Sequence, residues 1–154
     1  MPTKAPREMI DPNLIKAYRL AKYSVTYEDK EYTLKVGRPC EFVDRILAHQ
    51  HLKSAYFITP ENPFSCPLSA QENSLRHSRF QKEIGNQYSY LEGYGTDEGK
   101  TWPKEASYLI FTDDDAGMQN LAACFGQNAL LKIQYKTPTR LLLLEPMRYI
   151  SHKE

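Results

Sequence analysis

At 154 residues, 41% hydrophobic and 25% charged, the chain is long enough to bury one sizeable core, and its ordinary composition excludes a fibrous or disordered protein. Its 20 Lys and Arg against 19 Asp and Glu leave a formal net charge of +1, too little for a field that steers nucleic acid. The longest aliphatic run, 141–144, is far short of the roughly 20 apolar residues that span a bilayer, so no membrane association is expected.

Residues 1–154 read as a single domain with an ordered core over about 11–146 and short flexible tails. Asp11 before Pro12 predicts a helix start, leading to about Tyr18. "YSVTYEDKEYTLKV" predicts a hairpin reversing at Glu28, Asp29 and Lys30. From Cys40 to Leu52, Phe42, Val43, Ile46 and Leu47 recur at helical spacing and form one apolar stripe. "SAYFIT" is a short apolar strand ended by Pro60 and Pro63. Ser69 and Glu72 form a capping box for a helix running to Gly85. "YSYLEGYG" and "ASYLIFT" are two strands joined by a polar loop. Asp113 to Asp115 open a further helix with Met118, Leu121, Ala122 and Phe125 as its buried stripe and Gly126 at its end. "ALLKIQY" and "RLLLLE" close the chain as a second hairpin. The fold expected is α+β: a mixed, mostly antiparallel sheet with about three helices packed on it in a single pair of layers.

Polar residues at core-facing positions mark a candidate site. Positions 73, 76, 80 and 84 share one helix face, which turns Asn73 and Arg76 inward beside Phe80 and Ile84. Strand alternation puts Gln127 on one face with Ala129, Leu131 and Ile133, and Glu92 on one face with Tyr88, Tyr90 and Tyr94. Such groups need partners, because an unpaired buried amide costs about 1–3 kcal/mol and an unpaired charge more. They either satisfy one another and nearby carbonyls, with Arg76 and Glu92 as an ion pair, or line a pocket formed by "PENPFS" and the helix start at Ser69. The pocket residues are then Asn62, Ser65, Ser69, Asn73, Arg76, Glu92, Gln127 and Asn128, suited to a small anionic or nucleotide-like ligand. Turnover of that ligand, as by a hydrolase or transferase, would use Glu92 as general base and Arg76 as charge stabiliser. A protein-interaction role for the tyrosine-rich hairpin is the third alternative.

Other motifs carry less. Cys66 and His77 lack a readable third partner for nucleophilic catalysis. His49 and His51 splay apart, and the consecutive acids 113–115 lack a calcium-loop spacing, so neither a metal nor a cofactor is expected. Three widely spaced cysteines, Cys40, Cys66 and Cys124, and an N-terminus without an apolar run predict free thiols and a cytoplasmic location. Nothing in the sequence sets an oligomeric state.

"FITPENPFS", "LSAQENSLR", "LEGYGTD", "TWPKEAS" and "FGQNA", in this order, resemble the landmarks of DUF3293, a bacterial family of unknown function, over about residues 17–144. The resemblance implies a small bacterial single-domain protein with no assigned activity. Asn62, Pro63, Ser69, Glu72, Asn73, Arg76 and Glu92 match its pattern. Glu61 stands where an aromatic is common, and Lys104 and Ala106 depart from the family around Glu105.

Overall fold

Asp11 opens the first helix, accepting a hydrogen bond from the Asn13 N–H at 2.8 Å, and α1 spans Pro12–Leu20. The structure, a computed structural model, describes residues 11–97 and 103–144. The expected tails lie outside the described residues, as does much of the loop between the strands that carry Glu92 and Glu105. Strands β1 (Lys22–Tyr27) and β2 (Lys30–Leu34) form the first hairpin. Its central residues Glu28 and Asp29 both have positive φ, 50° and 68°, the turn geometry that matches strand twist. Helix α2 covers Glu41–Gln50 and strand β3 Ser54–Ile58. Helix α3 covers Ala70–Ile84 with the Ser69–Glu72 capping box formed in both directions. Strands β4 (Ser89–Thr96) and β5 (Glu105–Phe111), helix α4 (Asp115–Cys124), and strands β6 (Ala129–Gln134) and β7 (Arg140–Leu143) complete the order.

All seven strands join one antiparallel sheet in the order β2-β1-β4-β5-β3-β6-β7. The fold is α+β as expected, with α1 making four helices rather than about three. The sheet curls until its ends meet: Val36, past β2, bridges Thr139, before β7, and the Gly37 N–H donates to the Thr139 carbonyl at 2.8 Å.

Alternation along β3 divides the core. Ala55 and Phe57 face a cluster that draws Val25, Leu34, Leu91, Leu109, Leu131 and Leu141 from the other strands, together with Phe42, Val43 and Leu47 of α2. This is the concave side of the curl. Tyr56 and Ile58 face the convex side, where Phe80 and Ile84 of α3 and Met118 and Ala122 of α4 cover the sheet. The expected single pair of layers is therefore three layers, because a sheet apolar on both faces must be covered on both. Cys40, Cys66 and Cys124 are free thiols.

Candidate functional site

The loop from Thr59 to Leu68 leaves the buried end of β3 and must turn into α3. Asn62, Phe64 and Ser65 do so with positive φ of 50°, 55° and 61°. Asparagine tolerates that region, whereas a bulky phenylalanine is an outlier there. Such backbone persists only where its surroundings overdetermine it, and it concentrates at functional sites.

The surroundings are the polar residues singled out by the sequence. The Asn62 side-chain oxygen accepts from the Leu68 N–H and from Asn73 Nδ2, both at 2.9 Å, and its amide Nδ2 donates to Glu105 Oε2 at 2.7 Å. The Asn62 N–H in turn donates to Asn73 Oδ1 at 3.1 Å. Arg76 donates through Nε to the Pro60 carbonyl at 2.6 Å and through Nη2 to the Phe125 carbonyl, and its guanidinium lies over the Phe125 ring. Gln127 Nε2 donates to the Glu61 carbonyl at 2.9 Å. Gly126, at φ +70°, accepts from the Phe64 N–H, and a Cβ on it would come within 2.8 Å of Pro63. Ser65 Oγ, Tyr18 OH and Asn128 Nδ2 bond one another at 2.9–3.1 Å, tying α1 to the loop.

Of the two alternatives for these side chains, the ion pair of Arg76 with Glu92 is not formed: Glu92 is exposed on β4, and Arg76 is held by backbone carbonyls. Carbonyls at the end of a loop and of a helix are strong acceptors for a half-buried guanidinium, and burial pushes its pKa down, with Arg79 adding to this. Nor do Cys66 and His77 pair, since both ring nitrogens of His77 have other partners. Ser69 is engaged as the helix cap.

Beside the clamped loop, between α3 and the β4–β5 pair, lies an open cleft of about 950 Å3. Asn62, Ser65, Asn73 and Glu92 line it, while Ser69, Arg76, Gln127 and Asn128 do not. The cleft also brings in Glu61, His77, Gln81, Glu105 and Tyr108, which sequence reasoning set aside or missed. The signal was there: Asn73, His77 and Gln81 recur every fourth residue and form a second stripe on α3.

These residues make a chain of hydrogen bonds with one direction. Glu61 Oε2 lies 2.7 Å from His77 Nε2, and as a carboxylate it accepts the ring proton. With that proton on Nε2, His77 Nδ1 accepts from the Tyr108 hydroxyl at 2.9 Å, and that hydroxyl accepts from Gln81 Nε2 at 3.1 Å. Each bond polarises the next, and all of them end on Glu61. The side chains of His77 and Glu61 are 19% and 14% exposed, so the pair is only partly screened.

Glu105 stands next to this chain. Burial raises its carboxyl pKa, the Asn62 amide opposes the shift, and the nearby Glu61 charge adds to it. Among the described residues only one of its two oxygens has a partner, Asn62. Two neighbouring carboxyls are thus held in different ways, Glu61 bonded to an imidazole and Glu105 pushed toward its neutral form. Among the described residues, Lys104 is the cation of the cleft, and it sits 4.3 Å from the centre of the Tyr94 ring. No group of three His, Cys, Asp or Glu side chains that could hold a metal occurs among the described residues, and no helix there is long and apolar enough to cross a membrane.

No curated protein and no solved structure matches the chain significantly. The family match is narrower than the resemblance over about 17–144, beginning at the last residue of β3 and ending inside β6. Over residues 58–130, which hold the strained loop, α3, β4, β5 and α4, the chain matches the family described as protein of unknown function (DUF3293).

Proposed function

We propose that the chain binds a small, uncharged polar molecule in the cleft between α3 and the β4–β5 pair. The observation that carries this reading is the one-way chain from Gln81 through Tyr108 and His77 to Glu61, set beside a Glu105 carboxyl with an oxygen to offer. The charges weigh against the small anionic or nucleotide-like ligand expected from the sequence. Glu61, Glu92 and Glu105 line the cleft with Lys104, and Arg76, the cation on which an anion would rest, is engaged outside it. Free thiols at Cys40, Cys66 and Cys124 support a reducing, cytoplasmic setting.

The test is a titration of isotope-labelled protein with acetamide, glycerol and inorganic phosphate, followed by amide chemical shifts. Acetamide or glycerol should perturb the loop around Asn62 and the signals of His77, and Glu105→Ala should abolish the effect. Saturable binding of phosphate with no response to the neutral probes would return the site to an anion.

A second reading, an enzyme of the hydrolase or transferase type, is favoured by one observation: the contrast between Glu61 and Glu105. A carboxylate bonded to histidine beside a carboxyl held toward its protonated form is the division that acid–base catalysis uses. Glu92, the base expected from the sequence, pairs in register with Tyr108 on the neighbouring strand and lines the same cleft. Turnover of short esters and amides, lost in Glu61→Gln and kept in Cys66→Ser, would establish it; turnover unaffected by Glu61→Gln and Glu92→Gln would refute it.

A further inference from the structure

We infer that the site has an inner compartment, a chamber inside the curl of the sheet that takes a short aliphatic group of the ligand while the polar head stays in the cleft. This rests on the reading of the cleft as a site for a neutral polar molecule. The two ends of the curl differ. At one end α2 closes it, with Phe42 stacked on Tyr32 at 3.8 Å and tilted against Tyr27. At the other end, where β1, β5 and β6 begin and β4 finishes, a chamber of about 80 Å3 remains. At the ~30 Å3 that one water occupies, it has room for roughly three non-hydrogen atoms.

The chamber adjoins the cleft. Tyr18, Asn62, Ser65, Glu105 and Ser107 belong to the walls of both, so the strained loop and the start of β5 form the partition. Beyond the partition the walls are Tyr23, Phe57, Leu131 and Leu141. The polar side chains deeper in are turned on one another. Thr59 Oγ1 donates to the Ala106 carbonyl and accepts from the Glu61 N–H. Ser107 Oγ donates to the Glu105 carbonyl, Tyr23 OH to the Tyr18 carbonyl, and Gln127 Nε2 to the Glu61 and Phe125 carbonyls. Donors so engaged leave the chamber little to offer a polar guest, and it favours an apolar one. The exception stands at the partition, where Glu105 has one carboxyl oxygen without a partner among the described residues. A neutral head, an amide or a hydroxyl, beside a two- to four-carbon group is the class of molecule that satisfies both compartments.

The experiment is an affinity series of primary amides, acetamide, propionamide, butyramide and hexanamide, measured by chemical-shift titration of the intact chain. Affinity should rise about fourfold per added methylene, the factor for burying one CH2, up to butyramide, and then stop. Ala129→Leu, which fills the chamber from its wall, should flatten the series while leaving acetamide binding unchanged. Leu141→Phe, which fills the chamber from a wall the cleft does not share, serves if that variant fails to fold, and the wild-type profile is decisive by itself. Acetamide binding without any gain along the series overturns the inner compartment and leaves the cleft reading standing. A gain that survives filling the chamber overturns it as well. Failure of every amide and of glycerol overturns both.

Discussion

Replacing Asn62 tests whether the strained loop is held by the network around it. Its side chain makes three hydrogen bonds, to the Leu68 N–H, to Asn73 and to Glu105. Each is worth about 0.5–1.5 kcal/mol net, so Asn62→Gly, which keeps the left-handed backbone accessible, should cost about 2–4 kcal/mol. Asn62→Ala loses the same bonds and also places a Cβ without polar compensation at φ 50°, adding roughly 1 kcal/mol. The order wild type, glycine, alanine is therefore expected in urea midpoints at constant slope. Equal midpoints for glycine and alanine would mean that the backbone at this position is not confined to the left-handed region. A loss below about 0.5 kcal/mol in both would mean that the network contributes nothing to the fold.

Arg76→Ala should cost about 2–3 kcal/mol through the Pro60 and Phe125 carbonyls left behind. Glu92→Gln should be within about 0.5 kcal/mol of wild type, and a double-mutant cycle between the two should show coupling below about 0.5 kcal/mol; a larger coupling would restore the ion pair. Because burial holds the Glu105 carboxyl above its ordinary 4.5, its contribution to stability is full below that value and is lost as pH rises through the folded pKa. Urea unfolding of Glu105→Gln across pH should thus show the variant gaining on wild type from pH 4.5 upward, and a constant difference would refute the shift. Alkylation of the native protein, followed by mass spectrometry, should label the exposed Cys66 and Cys124 quickly and the buried Cys40 only on unfolding.

The helices and strands were legible because their periodicity is local: Ser69 with Glu72, the Phe42 to Leu47 stripe and the tyrosine-rich hairpin each declare themselves within a few residues. Strand order was not. Gly93 is visible in "LEGYG", but only the structure reveals that a Cβ there would lie 2.1 Å from the Ser24 carbonyl, where β1 crosses β4. Helical periodicity turns Arg76 to the correct side of its helix, but neither the ion pair with Glu92 nor a place in the pocket is realised, because its acceptors are main-chain carbonyls that no side-chain pattern announces. Glu61 and Glu105 were set aside for departing from a family pattern, although position alone brings them together: one lies just beyond the end of β3, the other at the start of β5, beside which β3 lies.

The strand order also governs how the chain can assemble. The contacts of the β1–β2 hairpin are local, whereas β4, the inner neighbour of β1, follows in the chain only after α2, β3 and α3. A hairpin formed alone would leave Val25 and Leu34, both fully buried in the finished protein, facing solvent. Closing that long loop is an entropic toll levied before any of its contacts reward it, which makes docking of the hairpin a candidate for the slow step of folding. Weakening the β1–β4 crossing at Gly93 should then slow refolding more than it speeds unfolding, while the β6–β7 hairpin, closed by a short turn, should leave the refolding rate almost untouched.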